Sequence, residues 1–212
     1  MNTTANALTL VGTIAEMPMH DHDYQGETFY RFMLAVQRQS GILDTLPVMV
    51  SEHLLNAVSP HIGQDLRLEG QVRSYNKMVD GAGRLCVVAF AQRLAPATGG
   101  RNLNEVALSG ALCKQPEYRT TPFGREITDM MLAVNRSFGR SDYIPCIVWG
   151  RNAQYAARLE VGDHITVDGR LQSRAYEKQR PDGSRENRAV YEVSIRRLEK
   201  WRDTTAPRAR SD

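Results

Sequence analysis

Between residues 136 and 188 the chain sets aromatic rings among cations. Arg136 and Arg140 flank Phe138, Arg151 follows Trp149, and Arg170 and Arg174 precede Tyr176. Lys178, Arg180, Arg185 and Arg188 line the stretch that follows. Rings can stack on flat π-systems while guanidinium groups pair with phosphates, which is the chemistry of a groove that follows a nucleic-acid strand. Each residue also has a plainer reading. Tyr143 and Trp149 are an even number of positions apart, so both project from one face of a strand, and that face fits a core as well as a surface. Phe138 lies in the polar run Asn135-Arg136-Ser137-Phe138-Gly139-Arg140, and Tyr176 at the base of a charged stretch, both poor surroundings for core residues. Glu177, Asp182 and Glu186 dilute the cations, so some of them are spectators.

Other chemistries find little support. There are no paired carboxylates in a motif, no glycine-rich phosphate loop and no Ser/His/Asp signature, so an enzyme is not expected. His20-Asp21-His22-Asp23 could hold a metal, but two histidines without further ligands make a weak site, and no metal or cofactor is expected. The three cysteines, Cys86, Cys113 and Cys146, form no CxxC pair, which fits a reducing compartment. The N-terminus lacks the basic and apolar regions of a signal peptide, and no apolar run approaches the roughly 20 residues of a membrane helix. The expectation is a cytoplasmic protein with no membrane contact. Charge is uneven: residues 1–100 carry 7 Lys/Arg against 9 Asp/Glu, and residues 101–212 carry 20 against 15.

The chain repeats itself once. Gly12 and Gly110, Pro18 and Pro116, Leu34-Ala35-Val36 and Leu132-Ala133-Val134, and Pro47 and Pro145 are all 98 positions apart. Gly63 and Gly162, then Gly70 and Gly169, follow at 99, one insertion later. Two copies of one fold result, joined near Ala95-Pro96-Ala97-Thr98-Gly99-Gly100. The expected boundaries are 1–95, a linker at 96–102, a second domain at 103–202 and a short basic tail at 203–212.

Each copy reads as mostly strand. In the second, Val106–Leu112, Ile127–Val134 and Tyr143–Trp149 are apolar strand-like runs, with Pro145 pointing to an edge or bulge. Arg151–Leu159 reads as a helix, His164–Leu171 and Ala189–Ile195 alternate with period two, and Pro181-Asp182-Gly183 is a turn within the polar stretch 177–188. The first copy follows the same order, with a weaker helix at Glu52–Val58. Five strands with a helix after the third match a Greek-key OB barrel. The fold class is therefore all-β: two tandem five-stranded OB-fold barrels, each with one short helix.

With that order in hand, the second copy resembles the bacterial single-stranded DNA-binding protein family. The resemblance runs through Asn104-Glu105-Val106 and Gly110, Pro116-Glu117-Tyr118-Arg119 with Pro122 and Gly124, and Leu132-Ala133-Val134. It continues through Ile147-Val148-Trp149-Gly150-Arg151, the run from Gly169 to Tyr176, and Tyr191-Glu192-Val193. The first copy is similar more loosely, through Leu10-Val11-Gly12, Leu34-Ala35-Val36 and the run from Gly70 to Tyr75. The resemblance places the family's four base-stacking positions at Phe138, Tyr143, Trp149 and Tyr176, and adds Arg119 to the phosphate contacts. It implies sequence-independent binding of single-stranded DNA in replication, recombination or repair, and a bacterial, nucleoid-associated setting. The alternatives are single-stranded RNA binding and a primosome-like assembly role.

At the repeat offset Phe138 becomes Ser40, Tyr143 becomes Thr45 and Trp149 becomes Ser51. Tyr75 aligns with Tyr176 after a small gap. Phe29, Tyr30 and Phe32 read as core or interface. The second barrel is thus expected to hold DNA while the first packs against another barrel. The family assembles four barrels, so two per chain imply a homodimer. The ending, Asp203 to Asp212, is short and basic, and implies no acidic tip of the kind the family uses to recruit replication proteins.

Overall fold

The structure is a computed structural model that describes residues 5–79, 81–99, 102–179 and 183–201. The first repeat contains β1 (Asn6–Tyr24), β2 (Glu27–Gln37), β3 (Leu43–Ser51), α1 (Glu52–Asn56), β4 (Asp65–Val79) and β5 (Ala82–Pro96). The second contains β6 (Leu103–Leu112), β7 (Glu117–Thr120), β8 (Glu126–Asn135), β9 (Ser141–Trp149), α2 (Arg151–Ala156), β10 (His164–Gln179) and β11 (Arg185–Lys200). A 3₁₀ turn, Ser137–Gly139, joins β8 to β9.

Strand order in the first repeat is β2-β3-β5-β4-β1, and β1 returns to pair with β2, closing a five-stranded barrel. The second closes the same way, β6-β10-β11-β9-β8 with β6 against β8, and β7 lies outside β8. The strand expected to be single in each copy is single only in the first. There, β1 bends through register shifts on either side of Glu16 and between His20 and His22. In the second, the same course is divided into β6 and β7 around Cys113 to Pro116. Pro18 and Pro116 occupy this bend in the two copies, where a missing N–H costs no ladder bond.

Three expectations shift in detail. Helix α2 ends at Ala156, short of Leu159. The stretch 177–188, read as a polar loop, is largely strand: β10 and β11 pair as far as Gln179 with Arg185. Its polarity reflects a projecting hairpin whose charges pair along it, Arg185 with Glu177 and Arg188 with Glu186. Pro145 lies where β9 faces β11 without a ladder bond, since that pairing covers only Cys146 to Val148.

Alternation builds the core. Leu8 and Leu10 on β1, Leu34 and Val36 on β2, and Leu66 and Leu68 on β4 point inward and are buried, as are Leu132 and Val134 on β8 and Ile165 and Val167 on β10. The repeated glycines mark close strand crossings. A Cβ on Gly12 or Gly110 would strike the carbonyl of Ala35 or Ala133, and one on Gly70 or Gly169 that of Phe90 or Ser194. Helix α2 presses Ala153 and Ala156 onto the barrel, and the Thr128 hydroxyl donates to the Ala153 carbonyl.

The two barrels share one sheet. β1 pairs antiparallel with β6, with Asn6 opposite Leu108 and Leu10 opposite Asn104. Adding the repeat offset to one of these pairs returns the other, so the junction is an internal two-fold. Asn6 and Asn104 extend it: each side-chain amide both donates to and accepts from one backbone residue, Val72 and Leu171 respectively.

Each barrel holds a buried ion pair that bonds a serine of the other across the junction. Arg38 donates to both carboxylate oxygens of Asp44, and Asp44 accepts the Ser173 N–H of the other barrel at 2.8 Å. Arg136 binds Asp142 in the same way, and Asp142 accepts the Ser74 N–H at 2.5 Å. Both aspartates are fully buried. Each arginine also reaches the carbonyl of the opposite serine. Removing one partner of a buried pair strands the other. Asp142→Ala and Asp44→Ala should each destabilise the protein by about 3–5 kcal/mol, checked by urea unfolding.

Candidate nucleic-acid interface

Residues directly opposite in a ladder project from the same side of a sheet. That rule assembles an outer face on the second barrel. Arg119 of β7 lies opposite Ile127 of β8, which lies opposite Trp149 of β9. Tyr143 shares the Trp149 side by its even spacing, and so does Ile147, opposite Ser194 of β11. From Ser194 the same side runs down β11 through Glu192, Val190 and Arg188, which face Gln172, Arg174 and Tyr176 of β10. Arg119, Trp149, Tyr143, Arg174 and Tyr176 therefore lie on one face.

That face is open where it matters. Tyr143 is 49% exposed and Trp149 38%, while their neighbours Asp142, Ile144 and Val148 are buried. The pair that fitted either core or surface by spacing is on the surface. Tyr176 is half-buried, and Phe138 lies in the 3₁₀ turn leading into β9.

The cations divide by what already holds them. Arg119 donates to Asp129 at 2.6 Å, and that bond raises its pKa. Arg174 leans on the buried Glu192 at 3.4 Å. Arg136, expected as a phosphate contact, is occupied by the junction clamp with Asp142 and Ser74. Arg170 bonds Gln172 and keeps a buried Nε without a partner; burial, then Arg38, pulls its pKa down. Arg140 and Arg151 are exposed, and among the described residues neither forms an ion pair. Lys178 lies on β10 opposite Glu186, and Arg180 falls outside the described residues.

Tyr75 occupies a place different from the one expected. The matching clamps make Ser74 the counterpart of Ser173, with no gap after it. Tyr75 thus corresponds to Arg174, and Lys77 to Tyr176. Tyr75 still faces the same side of β4 as Lys77, one pleat earlier. The Ser74 hydroxyl accepts the Tyr143 N–H at 2.8 Å, which brings β4 of the first barrel against β9 of the second.

Several residues escaped sequence reasoning. Phe123, at the tip between β7 and β8, is 91% exposed. It lies between Pro122 and Gly124, a turn signal that could have singled it out. Arg125 and Trp149 line one shallow depression beside that tip. The hairpin is tied to α2 through Glu126, which accepts from the Tyr118 hydroxyl at 2.6 Å and from Gln154 at 2.9 Å. Those bonds, Tyr118 first, hold the Glu126 carboxyl below its ordinary pKa. The His20-Asp21-His22-Asp23 run resolves into local pairs, His20 with Asp23 and His22 with Asp21. Among the described residues no three His, Cys, Asp or Glu side chains gather as a metal site.

Residues 103–201 match the model of the single-strand binding protein family. That match covers the second barrel, a little under half of the chain. Curated relatives in the family include "Single-stranded DNA-binding protein 1" of Staphylococcus aureus, 48% identical over 84 residues, covering 36% of this chain and 50% of that protein. "Single-stranded DNA-binding protein A" of Bacillus subtilis is 45% identical over 84 residues, covering 36% and 49%. The chain spans about half the length of these relatives. Both barrels together resemble the crystal structure of the wild-type single-stranded DNA binding protein from Thermus aquaticus, with TM-score 0.74 and 25% identity, over 98% of this chain and 96% of that one. A deletion mutant of that protein gives TM-score 0.73 at 26% identity. The single-strand binding family match thus falls on the barrel that carries the exposed rings.

If those rings are surface groups, truncating them spares the fold. Tyr143→Ala should change unfolding stability by about 0.5 kcal/mol or less, and the adjacent Ile144→Ala should cost about 2–5 kcal/mol. Thermal or urea unfolding of the two variants checks the contrast.

Proposed function

We propose that this protein binds single-stranded DNA without sequence preference and protects it during replication, recombination or repair. The observation that carries the reading is the single outer face shared by Tyr143, Trp149, Tyr176, Arg119 and Arg174. It is supported by the names of the curated relatives and by the family match over residues 103–201. Every base has a π-face, so stacking on these rings tolerates any sequence. Phosphates lie along the arginines, with Arg140 and Arg151 the cations least engaged elsewhere. Arg136 and Arg170 contribute from positions already bonded within the protein, and Phe138, Lys178, Arg180 and Tyr75 complete the set read from sequence. Duplex DNA is excluded because its bases are already stacked on one another. The protein acts by binding and performs no reaction.

The assembly we assign is a homodimer presenting four barrels. Where β1 meets β6, the outer surface of the shared sheet has Ala7 opposite Ala107, beside Thr9 opposite Glu105. Small side chains let a second sheet approach to about 10 Å. Sedimentation at the mass of two chains is expected; the mass of one chain would remove this part.

Titration with oligo-dT, followed by tryptophan fluorescence, tests the binding itself. Trp149 is in the proposed groove and Trp201, after β11, is outside it. Strong quenching by the single strand, weak quenching by a matched duplex and affinity falling with salt are expected. Trp149→Ala should weaken binding by about 1–3 kcal/mol, roughly 5- to 150-fold. Arg140→Ala should reduce the slope of log affinity against log salt by about 1, and Arg119→Ala, held by Asp129, by less. Absence of both quenching and a mobility shift would return the protein to the assembly reading.

A further inference from the structure

The first barrel has lost the expected rings at Ser40, Thr45 and Ser51, yet its outer face is not bare. The ladder identifies that face. Phe29 lies opposite Ser51 and Arg31 opposite Met49 across β2 and β3. Met49 lies opposite Phe90 across β3 and β5. Val88 lies opposite Arg73, and Cys86 opposite Tyr75, across β5 and β4. These are the first-barrel counterparts of the face that carries Trp149, Tyr143 and Tyr176. Its aromatic residues have moved within it. Phe29 stands where the second barrel has Ile127, Phe90 where it has Ser194, and Tyr75 where it has Arg174.

The relocated rings form a floor. Phe29, Met49 and Val88 make a small apolar cluster separate from the main core, and Tyr75 and Phe90 pack against it. A groove of ≈ 630 Å³ opens over this floor, within the range of about 300–1,000 Å³ typical of small-ligand clefts. Its far wall belongs to the other barrel and includes Arg136 and Arg140. Arg73 lies 4.2 Å from the centroid of the Phe90 ring. A guanidinium plane beside an aromatic ring is itself a surface on which a base stacks.

Charge selects the occupant. Arg73 bonds only the Gln71 side chain, and among the described residues no carboxylate pairs with it. Burial, then the nearby Arg136, pulls its pKa below the usual guanidinium range. Arg136 is already paired with Asp142, so Arg73 and the exposed Arg140 are the cations of this groove left to an anion. The opposite rim carries two acids, Asp21, engaged by His22 and Arg31, and Glu27, so a phosphate is favoured on the arginine side and the bases on the other.

We propose that this junction groove is a second single-strand subsite. Bases seat on Tyr75 and on the Arg73 guanidinium that lies over Phe90, and a phosphate lies between Arg73 and Arg140. Arg140 closes the turn that leads into β9, so one strand passes from the first barrel's face to the second's. The proposal rests on the single-strand reading given above. It gives a first barrel expected mainly to pack a hold on nucleic acid through a different set of rings.

Photo-crosslinking of the full chain tests it. An oligo-dT carrying 5-iodouracil at alternate positions is bound, irradiated and mapped by peptide mass spectrometry, with Trp149 fluorescence recorded on the same complex. Crosslinks are expected on the peptides holding Tyr75 or Phe90 as well as in the second barrel. Arg73→Glu should cut the first-barrel crosslinks at least tenfold. Arg73→Gln, which copies the residue at Gln172 and is the milder change, should cut them severalfold. Quenching of Trp149 with crosslinks confined to the second barrel would overturn the subsite and leave the second-barrel reading standing. First-barrel crosslinks unchanged in both Arg73 variants would also overturn it. No quenching and no crosslinks would overturn both.

Discussion

The antiparallel register of β1 against β6 is the constraint on which the rest of the molecule depends. It turns two barrels into one sheet and relates them by an internal two-fold. Once that axis is set, each barrel's β4 or β10 runs past the other's β2–β3 or β8–β9 loop. The serines on those strands then meet the aspartates across the junction. The outer faces come to lie side by side, and the groove between them is a consequence of the register.

The two buried Arg–Asp pairs hold the axis in place. Their value lies less in net stability than in specification. Desolvating a carboxylate costs several kcal/mol, and its bonds to an arginine and a backbone N–H must offset that cost. The arginine lies in the aspartate's own barrel, but the N–H comes from the opposite one, so that bond forms only in one relative placement of the barrels. An apolar contact would tolerate sliding, and this one does not. The same clamp explains why Arg136, which reads in sequence as a free cation beside a ring, has so little freedom.

Much of the fold was legible in sequence because it follows from local rules. The repeated glycines, prolines and the Leu-Ala-Val triplets mark strand crossings and bends that any sequence of this fold must accommodate. The even spacing of Tyr143 and Trp149 fixed that they share a face. Which face it was could not follow from spacing, since Ile147 lies between them on the same side and is buried. The length of β10 and β11 is hidden in sequence because the charged residues from Glu177 to Arg188 leave no apolar alternation to read. Tyr75 has an arginine as its counterpart, so matching ring to ring introduces a gap that the offset of Gly70 to Gly169 and the paired serines both exclude. Phe29 and Phe90 become neighbours through Met49, by way of the parallel β3–β5 pairing, a contact between distant segments. No pattern along the chain announces it.

Joining the barrels through residues 97–102 changes the kind of equilibrium that governs their junction. Between separate chains, β1–β6 pairing would be an association that dilution reverses. Within one chain it is intramolecular, and the short connection keeps the partner strand at a high effective concentration. The junction therefore persists however scarce the protein is. Covalent fusion also frees the two faces from identity. In an assembly of identical single barrels every substitution is copied to each site, whereas here Ser51 and Trp149, or Tyr75 and Arg174, can diverge independently. A tandem chain can thus carry two unlike grooves in fixed order, giving a bound strand a direction that two identical barrels related by a two-fold axis could not impose.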